Sequence, residues 1–140
     1  MIIMRTGPAL RVLIVDDTPR MLELLASAID NDDRFSVAAR AADGAQAIRL
    51  AGEDLTDAII LDLQMPGMDG LTALPRLRQL CPTAVIAAHS FDGDALERAV
   101  ALGADLSVLK GTGLDELLDM IAAVLLPRFG SDPEQKHSAA

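Results

Sequence analysis

The chain has 140 residues and a mass of 14.8 kDa, enough for one domain with its own core and too little for a second folded unit beside it. Hydrophobic residues make up 51% but aromatics only 2%, with three Phe and neither Trp nor Tyr, which excludes disorder and disfavours binding nucleic acid by base stacking. Twelve Lys and Arg against 21 Asp and Glu leave a net charge of −9, so the chain has no general pull toward phosphate backbones or anionic membrane, and direct nucleic-acid binding is not expected.

The single cysteine, Cys81, rules out an internal disulfide or a cysteine metal cluster and reads as a buried small hydrophobe. Met1-Ile2-Ile3-Met4 is too short for a signal-peptide apolar region, and later apolar runs meet charges well before the ~20 residues that span a bilayer. The expectation is a soluble, cytoplasmic protein.

Short apolar runs alternate with segments of helical period, the pattern of βα units around a parallel sheet. Residues 1–10 form an N-terminal extension, and the domain is expected over 11–126. Val12-Leu13-Ile14-Val15 reads as a buried strand ending at Asp16-Asp17. Thr18 then caps a helix with Pro19 at its first position, where a missing N–H costs nothing, and Leu22, Leu25 and Ile29 follow at helical spacing. Asn31-Asp32-Asp33 ends it, and Phe35 to Ala39 is a second, weaker strand. Asp43-Gly44-Ala45-Gln46 resembles a capping box before a short helix through Leu50, and Ala58 to Leu61 is a third strand running into Asp62.

Residues 65–70 have loop chemistry. Pro75 would break a helix begun at Gly70, so the cap is placed near Thr72 with the proline in the first turn. Ala84 to Ala88 is the fourth strand. Asp92 caps a helix from Gly93 to Leu102 that Gly103 stops, and Leu106 to Leu109 is the fifth strand, ending at Lys110. The last helix is expected from a Thr112 cap to about Leu126, closed by Pro127 and Gly130. Its apolar residues cover an arc of about 200°, wider than docking on one sheet face requires, which fits either a deeply packed helix or a partner surface. Residues 127–140 read as a polar tail or the start of a linker.

Open parallel sheets bind ligands outside the carboxyl ends of their strands. Those ends carry Asp16, Asp17, Asp62 and Lys110. Three gathered carboxylates repel one another unless a cation sits among them, and a small all-oxygen set suits Mg²⁺. With the cation in place, one carboxylate can attack phosphorus while the lysine meets the phosphoryl oxygens.

Val12-Leu13-Ile14-Val15-Asp16-Asp17, Leu61-Asp62-x-x-Met65-Pro66-x-Met68-Asp69-Gly70, and Gly103-Ala104-Asp105 before Lys110 resemble the receiver domain of two-component response regulators. Ala41-Ala42-Asp43-Gly44-x-x-Ala47 resembles its NarL/LuxR-type branch. The resemblance covers about Arg11 to Leu126. It implies a single-domain α/β fold, a doubly wound (βα)₅ parallel sheet with strand order 2-1-3-4-5. It also implies transfer of a phosphoryl group from a histidine kinase to Asp62, in a regulatory domain rather than an enzyme. Asp17, Asp62 and the backbone carbonyl of Gln64 would hold Mg²⁺, Asp16 would act through water, and Lys110 would pair with Asp62 or its phosphoryl group.

Two positions depart from the family. Its strand-four hydroxyl falls on Ala88, and its aromatic residue three places before the lysine falls on Ser107. Both halves of the usual switch are missing, so the expectation is intact acceptor chemistry with altered or weakened coupling to shape. His89 and Ser90, placed just beyond the strand, are the candidate substitutes. Ser90 otherwise reads as an ordinary loop serine, His89 as a solvated loop residue or a partner contact, and Phe91 as a member of a small apolar cluster. Gly111 stands where many relatives carry proline, which puts the usual cis peptide in doubt.

The rival reading is a phosphorylation-independent interaction module with a vestigial pocket, making a homodimer or an output-domain contact through the last helix. A Mg²⁺-dependent phosphohydrolase is disfavoured, since Gln64 stands where a second acid is needed and there is no room for a substrate-capping domain. NarL/LuxR-like relatives usually continue into a helix-turn-helix domain, and the chain fits a fragment of such a regulator or a stand-alone receiver equally well.

Overall fold

A computed structural model describes residues 8–129. The elements alternate throughout: β1 (Leu10–Val15), α1 (Pro19–Asp30), β2 (Phe35–Ala41), α2 (Gly44–Glu53), β3 (Ala58–Asp62), α3 (Gly70–Leu80), β4 (Val85–Ser90), α4 (Gly93–Ala101), β5 (Leu106–Leu109) and α5 (Leu114–Phe129). The strands form one parallel sheet in the order β2-β1-β3-β4-β5, the topology expected from the sequence. Residues 1–7 of the expected extension and 130–140 of the expected tail lie outside the described residues.

Side-chain alternation along the central strands builds two cores, one on each face. Leu13, Val15, Ile59, Leu61, Ile86 and Ala88 face one apolar cluster with residues of α2, α3 and α4. Val12, Ile14, Ala58, Ile60, Val85 and Ala87 face the other, with α1 and α5. Central strands covered on both faces read as continuous apolar runs, which is why they are visible in the sequence. β2 is an edge strand with only its two ends buried and a register shift against β1, in keeping with its weaker pattern. Cys81 is a free, buried thiol, as read.

Several boundaries correct the sequence reading: β1 starts at Leu10, inside the expected extension, β2 runs to Ala41 and α2 to Glu53. α3 begins at Gly70, not near Thr72; its cap is Asp69, whose side chain accepts from Thr72 N at 2.8 Å, and Pro75 lies inside the helix. β4 continues through His89 and Ser90, both 1% exposed, so neither is a loop residue. Hydrogen bonding to its neighbours extends this strand past the apolar run, because Asp62 pairs in register with His89 and Ser90 with Leu109. α5 begins at Leu114 rather than at a Thr112 cap, and it runs through Pro127 to Phe129. The Thr112 amide instead donates to Leu109 O at 3.1 Å, closing a turn after β5.

The wide apolar arc of α5 is used by the fold. Leu117, Leu118, Ile121, Ala122 and Leu125 are buried in the second cluster, and Leu114, Met120, Val124 and Leu126 pack against it. That is the deeply packed helix of the two sequence readings. Phe91 is the opposite case, 73% exposed rather than in a small cluster. The described peptide bonds are all trans, that of Gly111 included. No helix among the described residues is long and apolar enough to cross a membrane.

Candidate functional site

Parallel strands put their carboxyl ends on one edge, and here that edge collects the acidic residues. β1 leads into Asp16 and Asp17, and β3 ends on Asp62. One carboxylate oxygen from each lies within 4.8 Å of those of the other two; Asp16 and Asp62 are buried and Asp17 is exposed. Lys110, directly after β5, places Nζ 3.0 Å from Asp16 Oδ2 and 3.3 Å from Asp62 Oδ1.

Backbone amides hold the two buried carboxylates in place. Thr18 N donates to Asp16 Oδ1 at 2.9 Å, and Gln64 N donates to Asp62 Oδ1 at 3.1 Å. Asp62 Oδ2 has no hydrogen-bond partner, and Asp16 Oδ2 has only the ion pair with Lys110. One lysine cannot balance three carboxylates. The donor set, all oxygen with a buried unpartnered oxygen on Asp62, fits a small hard cation such as Mg²⁺.

Burial dominates the electrostatics of the site. Burial pushes the Asp62 carboxyl up to about 6, with Asp16 adding to the rise while the Gln64 amide and Lys110 oppose it. Burial alone would lower the Lys110 pKa, but its bond to Asp16 and the charges of Asp62 and Asp16 outweigh burial and raise it. His89 is held down at about 4 by burial and by Lys110, against the pull of Asp16.

Asp16, Asp17, Asp62 and Lys110 therefore come together as the sequence suggested. The two departures also meet, since Ala88 and Ser107 are register partners on β4 and β5. Ala88 is fully buried, and Ser107 lines an open groove of about 630 Å³ between α4, β5 and α5, with Leu96, Val100 and Met120. The Ser90 hydroxyl is engaged: it accepts from Asp92 N at 3.0 Å and approaches Gln64 Oε1 at 3.5 Å, while Gln64 Nε2 donates to Asp92 Oδ2 at 3.3 Å. Exposed Phe91 places its ring centroid 5.8 Å from Lys110 Nζ.

Two residues, Gly70 and Arg78, have supporting roles that the local sequence does not reveal. Gly70 is pressed against the backbone of Asp62, so that a Cβ there would overlap the Asp62 carbonyl oxygen and the chain around it. The Asp-Gly at the end of the loop motif thus supplies both the cap and the close approach that seats α3 against the end of β3. Arg78 donates to the backbone carbonyls of Cys81, Pro82, Ala84 and Gly103 and pairs with Asp105 Oδ2 at 2.6 Å. Asp105 Oδ2 also accepts from Ile86 N at 2.9 Å. The Gly-Ala-Asp run before Lys110 is therefore a clamp that ties the start of β5 to β4 and α3, with Gly103 supplying the left-handed turn at φ 116°.

A family model described as the response regulator receiver domain matches residues 12–122. Among curated proteins, a protein-glutamate methylesterase/protein-glutamine glutaminase from Shewanella oneidensis is 42% identical over 99 residues, covering 69% of this chain and 28% of that protein. The transcriptional regulatory protein YdfI of Bacillus subtilis is 34% identical over 116 residues, covering 82% of this chain and 54% of that one. The chain thus spans about half or less of the length of these relatives, and the methylesterase is matched over 28% of its length only. Among solved structures, a LuxR-family two-component response regulator from Aurantimonas superposes with a TM-score of 0.77 at 31% identity, covering 92% of this chain and 94% of that one. The response regulator domain of Thermotoga maritima CheB gives 0.76 at 28% identity, covering 89% and 99%. With its strand order, its clustered strand-end aspartates and the match over residues 12–122, the chain belongs to the response regulator receiver domain family of two-component signalling.

Proposed function

We propose that the chain is a phosphoacceptor receiver that takes a phosphoryl group on Asp62 from a histidine kinase, with Mg²⁺ held by Asp17, Asp62 and the Gln64 backbone carbonyl and, through water, by Asp16. The observation that carries this reading is the convergence of three carboxylates and Lys110 on the end of β3. In the transfer, the P–N bond to the kinase histidine breaks with its electron pair staying on the ring nitrogen, which takes up a proton, while a P–O bond forms to Asp62. Bound Mg²⁺ would supply the positive charge that lets an anionic carboxylate approach an anionic phosphoryl group. Lys110, already within 3.3 Å of Asp62, meets the charge carried by the phosphoryl oxygens.

The report of phosphorylation to a partner is altered or weakened. Ala88 lacks the hydroxyl that would bond the phosphoryl group, and Ser107 lacks the ring that would move, leaving the groove beside it open. The output acts through another protein or a further domain, transcription regulation among the candidates, in a cytoplasmic setting.

The test is exposure of the chain to acetyl phosphate and Mg²⁺, read by intact mass and by backbone amide spectra. One added phosphoryl group is expected in the wild type and none in Asp62→Asn. No mass gain in the wild type refutes the acceptor role, and large amide shifts throughout the β4–α4 and β5 regions refute weakened coupling.

A further inference from the structure

Among the described residues, His89 is the buried polar side chain with no partner on any of its polar atoms. It is 1% exposed, and neither Nδ1 nor Nε2 has a hydrogen bond. An unmet buried donor or acceptor keeps its full desolvation cost, and folded proteins leave few of them. A ring left this way in the resting fold points to a partner that arrives later.

The place of the ring narrows what that partner is. Along β4, Ile86 and Ala88 belong to the cluster under α2, α3 and α4, while Val85 and Ala87 belong to the one under α1 and α5. His89 continues the second series, so its side chain leaves the sheet on the face opposite that of Ala88. Its register partners are Asp62 on β3 and Val108 on β5, the latter two residues before Lys110. Register partners in a parallel sheet project to one face, which sets Asp62 and His89 side by side at the carboxyl edge, with Lys110 next in the row. The imidazole is not among the side chains whose ligand atoms converge on the cation site. The neighbouring candidate, Ser90, already spends its hydroxyl on Asp92 N and Gln64.

We propose that His89 is a phosphoryl-binding residue: when Asp62 carries a phosphoryl group, a ring N–H of His89 donates a hydrogen bond to one of its oxygens, in the role that Ala88 cannot fill. A neutral imidazole has one N–H to give and a phosphoryl group has only acceptors to offer, so the orphaned donor is met in the phosphorylated state alone. This inference rests on Asp62 being the acceptor, and its test separates the two.

The probe is beryllofluoride with Mg²⁺, titrated into the whole chain labelled with ¹⁵N. The chain has two histidines, and His89→Gln assigns the ring signals of His89. At saturation, the His89 ring nitrogens and their proton are expected to shift and the proton to become slow to exchange. His89→Phe, which fills the space without a donor, is expected to bind beryllofluoride about tenfold more weakly, the loss of one hydrogen bond to a charged group. His89→Gln, which keeps a donor, is expected to recover most of that loss. Unmoved His89 ring signals in a wild type whose amides around Asp62 report saturation overturn the proposal. So does a folded His89→Phe that binds as tightly as the wild type. If that variant fails to fold, the ring signals of the wild type decide alone. No response at Asp62 in any form overturns the acceptor reading itself, and this one with it.

Discussion

Replacing Asp62 by asparagine should stabilise the metal-free protein, although it removes a residue in an ion pair. The reasoning starts from burial. Asp62 is 2% exposed, and its carboxyl is pushed up from 3.8 to about 6 with Lys110 already counted among the opposing influences. A carboxyl raised on folding favours the folded state below its unfolded pKa, and that advantage is lost as the pH rises through the folded pKa. The rise from 3.8 to about 6, at ~1.36 kcal/mol for each tenfold change in the protonation equilibrium, makes the fully ionised side chain cost about 3 kcal/mol well above pH 6. The amide of the Asp62→Asn variant never ionises and escapes that cost. Urea unfolding of both proteins without Mg²⁺ should therefore give similar stabilities near pH 4 and an advantage for Asp62→Asn that grows to about 3 kcal/mol by pH 8. The charged and ionisable groups packed around the site, Asp16, Asp17, His89 and Lys110, are present in both proteins, so the comparison changes only the side chain at position 62. Saturating Mg²⁺ should shrink the gap, because the ion offsets the repulsion only where the third carboxylate is present. A variant less stable than the wild type at pH 8, or a difference that does not change with pH, would refute the reasoning.

Mg²⁺ should raise the thermal midpoint of the wild type, by about 1.4 kcal/mol of stabilisation at ten times its dissociation constant, and Asp17→Asn should abolish the effect in a melting titration. Gly70→Ala should cost about 2–3 kcal/mol in urea unfolding, because the new Cβ meets the Asp62 carbonyl, an atom in the sheet that cannot move aside. A loss below ~1 kcal/mol would mean that α3 can shift freely. Arg78→Met should cost about 2–4 kcal/mol, since it strips partners from four carbonyls and from Asp105, and amide exchange at Ile86 should quicken. Unchanged exchange at Ile86 would show that the clamp does not hold β4 to β5.

Local pattern alone encodes the strands, most helix starts and the membership of the acidic site. The central strands β1, β3 and β4 are the most legible because buried parallel strands are apolar on both sides, and the helices are legible because caps such as Asp43 and Asp92 punctuate them. Asp16, Asp17, Asp62 and Lys110 can be paired across the chain because each follows closely on an apolar run, and parallel strands bring such positions to one edge. Residues whose neighbours are remote in sequence take their roles from the packed fold instead. Thr72 as a cap is a sound local reading, but Gly70 can approach Asp62 closely enough to start the helix earlier, and the Asp69 side chain caps it there. His89 and Ser90 are polar and follow the apolar run, so locally they read as loop. They are strand residues because Asp62 and Leu109 lie beside them to complete the ladder. The same pairing buries the imidazole next to Asp62 without a partner, because burial and register are properties of the assembled sheet and leave no mark on the residues of one strand.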